Sequence, residues 1–305
     1  MNLIERAVAR LGTTPQGIDP DLQPPDLPNR VDPSLLAAKV DSDKISIIAS
    51  RGHHDAPARV IQQFAFGEPI FLPLEQMRER GFVTPAARAT ATGQEFRSIK
   101  GPILEKAFGA DSQRVANGHR VAVTSALPGE GKTFCAVNLA ISIAATGERP
   151  VLLLDADIAR PSIATELGIA DSHGLIDVLK GDEHSLFGLI RPTNVPGLSI
   201  LPAGRSQALA GEFLATSAMA SVLDQVSASF PDWLIVIDTP PMLAVTEVRS
   251  VLQRVGQIVM VVAAGDTPRD RVITALAAMP ESENVSLILN KVPESKARLD
   301  YYYGY

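Results

Sequence analysis

Ser125-Ala126-Leu127-Pro128-Gly129-Glu130-Gly131-Lys132-Thr133 follows an apolar run at 120–124 and precedes a helical pattern over 132–146. The stretch matches G-x-x-x-x-G-K-[ST] at Gly131, Lys132 and Thr133, with Ala126 in place of the first glycine. A strand that passes through such a turn into a helix supplies the context that a bare pattern lacks. Small residues let backbone N–H groups turn inward around phosphate oxygens, and the helix N-terminus adds its positive end. Lys132 reaches the β and γ phosphates, and the Thr133 hydroxyl is placed for Mg2+. A glycine-rich turn that merely caps a helix is the bland alternative, and the Lys-Thr pair argues against it. Pro128, Gly129, Glu130, Gly131, Lys132, Thr133 and Phe134 are therefore the expected nucleotide-binding residues.

Two further strand ends carry carboxylates. Leu152-Leu153-Leu154 leads into Asp155-Ala156-Asp157, and Arg160-Pro161 follows. Carboxylates at the C-terminal edge of a strand face the crevice where open α/β sheets bind ligands. Trp233-Leu234-Ile235-Val236-Ile237 ends in Asp238-Thr239-Pro240-Pro241, the form of a Walker-B strand whose aspartate holds hydrated magnesium. An apolar strand ending in Asp is also common turn chemistry. Lys132 and Thr133 upstream in the same sheet favour a metal held by Thr133, Asp155 and Asp238. Leu287-Ile288-Leu289 ends in Asn290, whose amide offers a donor and an acceptor for an adenine edge, against the plainer reading of a strand-end turn.

Outward from these motifs, apolar strands alternate with helices from about residue 93, the signature of a parallel sheet with crossover helices. Strands are expected at 120–124, 151–155, 198–202, 233–238, 257–263 and 285–289. Helices are expected at 132–146, 162–168, 174–180, 209–229, 245–254 and 268–279. The fold class is α/β, a P-loop NTPase-like, mostly parallel sheet flanked by helices, with an extended N-terminal region and a flexible Tyr-rich tail. Leu3, Ile4, Ala7, Val8 and Leu11 share one stripe of a short amphipathic helix over 1–11. Residues 12–92 form a Pro-rich linker and a poorly defined region, with prolines at 15, 20, 24, 25, 28 and 33 blocking regular helix. The P-loop domain is expected over 93–291 and the tail over 292–305.

All four tyrosines lie in the last five residues, as Tyr301, Tyr302, Tyr303 and Tyr305. A core uses Tyr as an amphipathic filler, whereas a chain terminus concentrates solvent access. Such a tail reads as something to be modified, or alternatively as rings packed into a partner. Fifteen residues follow Asn290. Extended, they reach about 40–50 Å, enough to enter a neighbouring subunit's crevice.

With 305 residues, 46% of them hydrophobic, the chain can bury a large core. Its longest apolar runs, 233–237 and 258–264, are strand-sized and too short to span a membrane. The start, Met1-Asn2-Leu3-Ile4-Glu5-Arg6, lacks the apolar segment of a secretory signal, so a cytoplasmic location is expected. A net charge of −6 gives no positive field for nucleic acid, which is not expected as a partner. The single cysteine, Cys135, excludes an intrachain disulfide and reads as a small buried hydrophobe.

Pro128 to Thr133, Asp155-x-Asp157 with Arg160-Pro161-Ser162, Asp238-Thr239-Pro240-Pro241 and the tyrosine tail together resemble the bacterial tyrosine kinases. Leu3-Ile4-Glu5-Arg6-Ala7 and Tyr301-Tyr302-Tyr303-Gly304-Tyr305 are similar to the tyrosine autokinases of exosortase-linked exopolysaccharide loci. The resemblance implies ATP and Mg2+ as cofactors and an autokinase that phosphorylates Tyr301, Tyr302, Tyr303 and Tyr305 in trans within a ring. Lys132, Asp155, Asp157 and Arg160 would be its catalytic residues. It implies regulation of exopolysaccharide synthesis, chain length or export, with a phosphotyrosine phosphatase as counterpart. It also implies activation, and recruitment to the inner membrane face, by the cytoplasmic segment of a chain-length-determinant membrane protein.

This chain departs from the family pattern at two places. Where the family's second motif carries Arg two residues after its second Asp, Ala159 stands here, with Arg160 next. The family's ring-forming E-x-x-R-x-x-R falls on Gln94, Arg97 and Lys100, of which Arg97 matches fully. The rival is a partitioning or cell-division switch ATPase of the same fold, but such proteins carry a second lysine where this chain has Leu127. A scaffold that binds nucleotide without turnover is a third reading.

Overall fold

A computed structural model of the chain describes residues 65–86, 89–169, 173–182, 184–205, 210–280 and 284–293. The expected helix over 1–11, most of 12–92 and the tyrosine tail lie outside the described residues.

Seven strands form one sheet in the order β3-β4-β2-β5-β1-β6-β7. They are β1 (Arg120–Ser125), β2 (Val151–Asp155), β3 (Arg191–Pro192), β4 (Leu198–Leu201), β5 (Leu234–Asp238), β6 (Gln257–Ala263) and β7 (Val285–Asn290). All neighbours pair in parallel except β3 with β4. The central strands read as continuous apolar runs because both faces are covered. Along β2, Val151 and Leu153 face one core while Leu152 and Leu154 face the other, the period of two that a strand imposes. The first face is covered by α2 (Ala91–Phe108), α3 (Lys132–Ala144) and α4 (Ile163–Leu167). The second is covered by α5 (Leu175–Lys180), α6 (Leu186–Leu189) and α7 (Ser217–Ser229), and beyond them by α8 (Val248–Leu252) and α9 (Arg269–Ala278).

The expected strands are all present within a residue of their bounds. The helix expected over 209–229 is divided: a 3-10 segment, Ala210–Ala215, precedes α7. Thr216 stands between them, its hydroxyl donating to the Phe213 carbonyl at 2.7 Å, a local bond that competes with helix continuation. No helix was expected over 91–108, where α2 forms with Gly101-Pro102 in its interior, a pair that ordinarily interrupts a helix. Buried Phe96 and Ile103 hold it against the sheet, and its start is capped by Thr90, whose hydroxyl accepts the Gly93 N–H at 3.2 Å.

The packed body also includes residues 65–86, ahead of the start expected at 93. Helix α1 (Leu74–Glu79) lies here, and Ile70, Leu72, Met77, Phe82 and Val83 are buried in the first core. The segment has no long apolar period of its own; its order comes from tertiary partners. Ile70 N–H donates to the Pro192 carbonyl at 2.8 Å, so the segment covers the exposed edge at β3. The Val83 N–H donates to buried Asn138 of α3 at 2.6 Å.

Candidate functional site

The site is assembled where β1, β5 and β2 end side by side. Asp155 and Asp238 occupy facing register positions of β2 and β5, and Val123 of β1 pairs with Asp238. The turn after β1 delivers Lys132 and Thr133 above those carboxylates on the first turn of α3. Gly131 begins that helix at φ 93°, in the left-handed region that glycine tolerates, and a Cβ there would lie 2.1 Å from Asn290 Nδ2. The loop therefore requires glycine both for its backbone turn and for the close approach of β7.

Lys132 Nζ lies 2.7 Å from Asp157 Oδ2 and 3.6 Å from Asp238 Oδ1. The Thr133 hydroxyl donates to Asp238 Oδ2 at 2.6 Å and lies 2.7 Å from the Ser162 hydroxyl. Since the single Thr133 proton is engaged by Asp238, Ser162 is the donor of that pair. Asp155 accepts the N–H groups of Asp157 at 3.1 Å and Ile163 at 3.3 Å. The Arg160 N–H donates to Asp157 Oδ1 at 3.2 Å, and the residue itself is exposed.

Three carboxylates and one ammonium thus share a buried space. Burial, with Asp238 and Asp157 close by, pushes the Asp155 carboxyl well above its ordinary range. Burial likewise raises Asp238 to about 6, against the pull of Lys132 and Thr133. For Lys132 burial works to lower the value, but Asp238, Asp157 and Asp155 outweigh it and the ammonium is held more firmly protonated. Burial pushes the neighbouring Cys135 thiol up to about 12, as suits a core residue.

The donor set fits a divalent cation. Asp238 Oδ1 is buried with no hydrogen-bond partner, an acceptor left uncompensated apart from the ammonium 3.6 Å away. Among the described residues no group of three or more His, Cys, Asp or Glu forms a protein-only metal cage. That is compatible with Mg2+, which keeps several waters and takes only one or two carboxylates alongside substrate phosphates.

Other expected site residues fall as follows. Pro128 and Gly129 are exposed at the crest of the loop, with Gly129 at φ 82°. The Glu130 side chain is 3% exposed and is engaged from behind the loop by the Leu127 N–H at 2.5 Å and by the Thr267 hydroxyl. The Phe134 ring packs on Phe82, centroids 4.9 Å apart. Asn290 reaches the loop and donates to the Glu130 carbonyl at 2.9 Å. Arg97 is exposed on α2, whereas Lys100 is 7% exposed and turned into the body. Its ammonium lies 3.4 Å from the Ser142 carbonyl and 3.8 Å from Glu148, near the C-terminus of α3. The sequence reading gave no role to Ser162 or Thr267. Ser162 belongs to the run Arg160-Pro161-Ser162, and its hydroxyl two residues beyond Arg160 was the available signal. Thr267 had no local signal.

Residues 117–281 match the family model described as ParA, NUBPL iron-transfer P-loop NTPase. The tyrosine-protein kinase YwqD of Bacillus subtilis is 31% identical over 186 residues, 60% of this chain and 77% of YwqD. The succinoglycan biosynthesis transport protein ExoP of Rhizobium meliloti is 32% identical over 214 residues, covering 68% of this chain but 26% of ExoP. The tyrosine-protein kinase ptk of Acinetobacter johnsonii is 36% identical over 132 residues, 43% of this chain and 18% of ptk, so the chain spans a minor part of the longer relatives. Among solved structures, the VpsO kinase domain is 29% identical with a TM-score of 0.54, covering 67% of this chain and all of that one. Names, coverage and fold agree with the sequence resemblance: the chain belongs to the bacterial tyrosine-protein kinases, within the P-loop NTPases.

Proposed function

We propose that this chain is an Mg·ATP-dependent protein-tyrosine autokinase that modifies Tyr301, Tyr302, Tyr303 and Tyr305 in trans within a homo-oligomer. The observation that carries the reading is the buried convergence of Lys132 and Thr133 on Asp238, whose Oδ1 lacks a hydrogen-bond donor, at the mouth of a phosphate loop. Thr133, Asp238 and Asp155 would hold Mg2+, which when bound offsets the negative charge of the phosphates.

The chain's own groups do the positioning. Loop N–H groups cradle the phosphates, and Lys132 exchanges its contact with Asp157 for the β and γ oxygens. Asn290 stands at the loop's flank for the adenine edge. The phenol oxygen then forms a bond to the γ phosphorus as the bond to the β-phosphate oxygen breaks, and ADP leaves. Asp157 or Asp155 takes the phenolic proton late in the transfer. Because a phenol holds its proton far more tightly than a carboxylic acid does, that group orients the hydroxyl more than it drives the step. Arg160, exposed beside the site, neutralises charge on the transferring group.

The proposal extends to regulation of exopolysaccharide synthesis, chain length or export, with ExoP's name as support. No helix among the described residues is long and apolar enough to cross a membrane. The proposed activator is the cytoplasmic segment of a chain-length-determinant membrane protein, which would recruit the chain to the inner membrane face. A phosphotyrosine phosphatase resets the tail. A partition-type switch ATPase is the second reading, favoured by the ParA name of the matched family model and disfavoured by Leu127 in place of a second lysine.

Intact mass after incubation with Mg·ATP separates the two. The autokinase reading expects gains of one to four phosphates, absent in Lys132→Met and in a chain ending at Asp300. ATP hydrolysis with no mass gain, even with the activating segment supplied, would favour the switch ATPase.

A further inference from the structure

Glu130 brings a carboxylate into the interior of an anion-binding loop. It is buried to 3% exposure, and a desolvated carboxylate beside incoming phosphates is costly unless donors hold it elsewhere. The donors come from two directions. Glu130 Oε2 accepts the Leu127 N–H at 2.5 Å, which closes the loop on itself. Oε1 accepts the Thr267 hydroxyl, from the turn between β6 and α9. Thr267 Oγ1 also accepts the Ala263 N–H at 3.1 Å, so its oxygen is fixed by β6 and its single proton is directed to Glu130. From the third side, Asn290 at the end of β7 donates to the Glu130 carbonyl at 2.9 Å. The arch from Leu127 to Gly131 is therefore tied to the ends of two strands that the phosphate-binding pattern does not include.

We propose that Thr267 is a positioning residue for nucleotide binding. Through Glu130, and together with Asn290, it holds the arch in the shape that presents its N–H groups before the nucleotide arrives. The inference rests on the nucleotide-site reading above. A loop ordered in advance does not lose that freedom on binding, so removing the tie weakens binding more than it slows transfer.

The test compares Thr267→Val, which keeps the side-chain shape without the hydroxyl, with Thr267→Ser, which restores it, both in the full chain. Four quantities are measured: Mg·ATP affinity, the KM and kcat of phosphate incorporation, and amide hydrogen exchange over residues 126–131, which needs no nucleotide. Thr267→Val is expected to bind Mg·ATP about tenfold more weakly with kcat within about twofold, the scale of one hydrogen bond to a charged group. Exchange at Leu127 should quicken, and Thr267→Ser should recover both. The proposal is overturned if Thr267→Val binds Mg·ATP as the wild type does. It is equally overturned if binding falls only alongside the melting temperature while loop exchange is unchanged. A wild-type chain that binds no Mg·ATP removes the nucleotide-site reading and this proposal with it; normal wild-type binding isolates the failure to Thr267.

Discussion

At the scale of the residue, the site works through crowding of charge. Lys132 and Thr133 are adjacent in sequence and point into one space with Asp155, Asp157 and Asp238, so their chemistry was legible from motif spacing. The contact between Glu130 and Thr267 was not, because it joins residues 137 apart and neither belongs to a shared pattern. Gly131 is doubly constrained. Gly131→Ala would meet Asn290 Nδ2 and force Ala to φ 93°, costing roughly 1–2 kcal/mol from the backbone alone. The expected result is loss of measurable Mg·ATP binding by calorimetry with the far-ultraviolet spectrum retained. Cys135 is 2% exposed, and burial pushes its thiol up to about 12. A maleimide or disulfide reagent at pH 8 should label it only on the timescale of unfolding; rapid labelling of the native chain would contradict its placement in the core.

At the scale of the element, the strands were readable because each is an apolar run bounded by turn residues, buried on both faces. Helices with weaker patterns were decided by what they pack against. Thr216 divided the segment expected as one helix, and α2 formed across Gly101-Pro102 because Phe96 and Ile103 are buried. The short α5 depends on its start. Asp177 accepts the Gly174 N–H at 2.6 Å, and its carboxyl is held below the usual range: burial pushes it up, but the Gly174 N–H and His173 outweigh that. A carboxylate with a lowered folded pKa stabilises above the unfolded value near pH ~4 and loses that contribution as pH falls through the folded value. Asp177→Asn should cost about 1 kcal/mol near pH 7. The difference in melting temperature from wild type should shrink on acidification below pH ~4, and a difference that grew would refute the assignment.

At the scale of the whole molecule, residues 65–86 belong to the kinase body although their sequence gave little sign of it. Five of their side chains are buried in the first core, Leu72 exchanges two hydrogen bonds with Asn194, and Val83 satisfies Asn138 inside α3. Each such side chain contributes about 1.5–3 kcal/mol before the entropy of ordering the segment. A chain beginning at residue 93 should therefore melt at least about 10 °C below one beginning at residue 65, or fail to stay soluble. Equal melting temperatures would place the segment outside the cooperative unit.

The most direct test of the central claim, that this phosphate loop phosphorylates the tyrosine tail of a neighbouring copy, is a mixing experiment. A Lys132→Met chain of residues 1–305 keeps the tail without the lysine, and a chain ending at Asp300 keeps the site without the tyrosines. With Mg·ATP and the activating segment present, phosphopeptide mapping should find phosphate on Tyr301, Tyr302, Tyr303 or Tyr305 of the Lys132→Met chain only when both are mixed. A tail that stays unmodified in the mixture, while the chain ending at Asp300 still hydrolyses ATP, would contradict it.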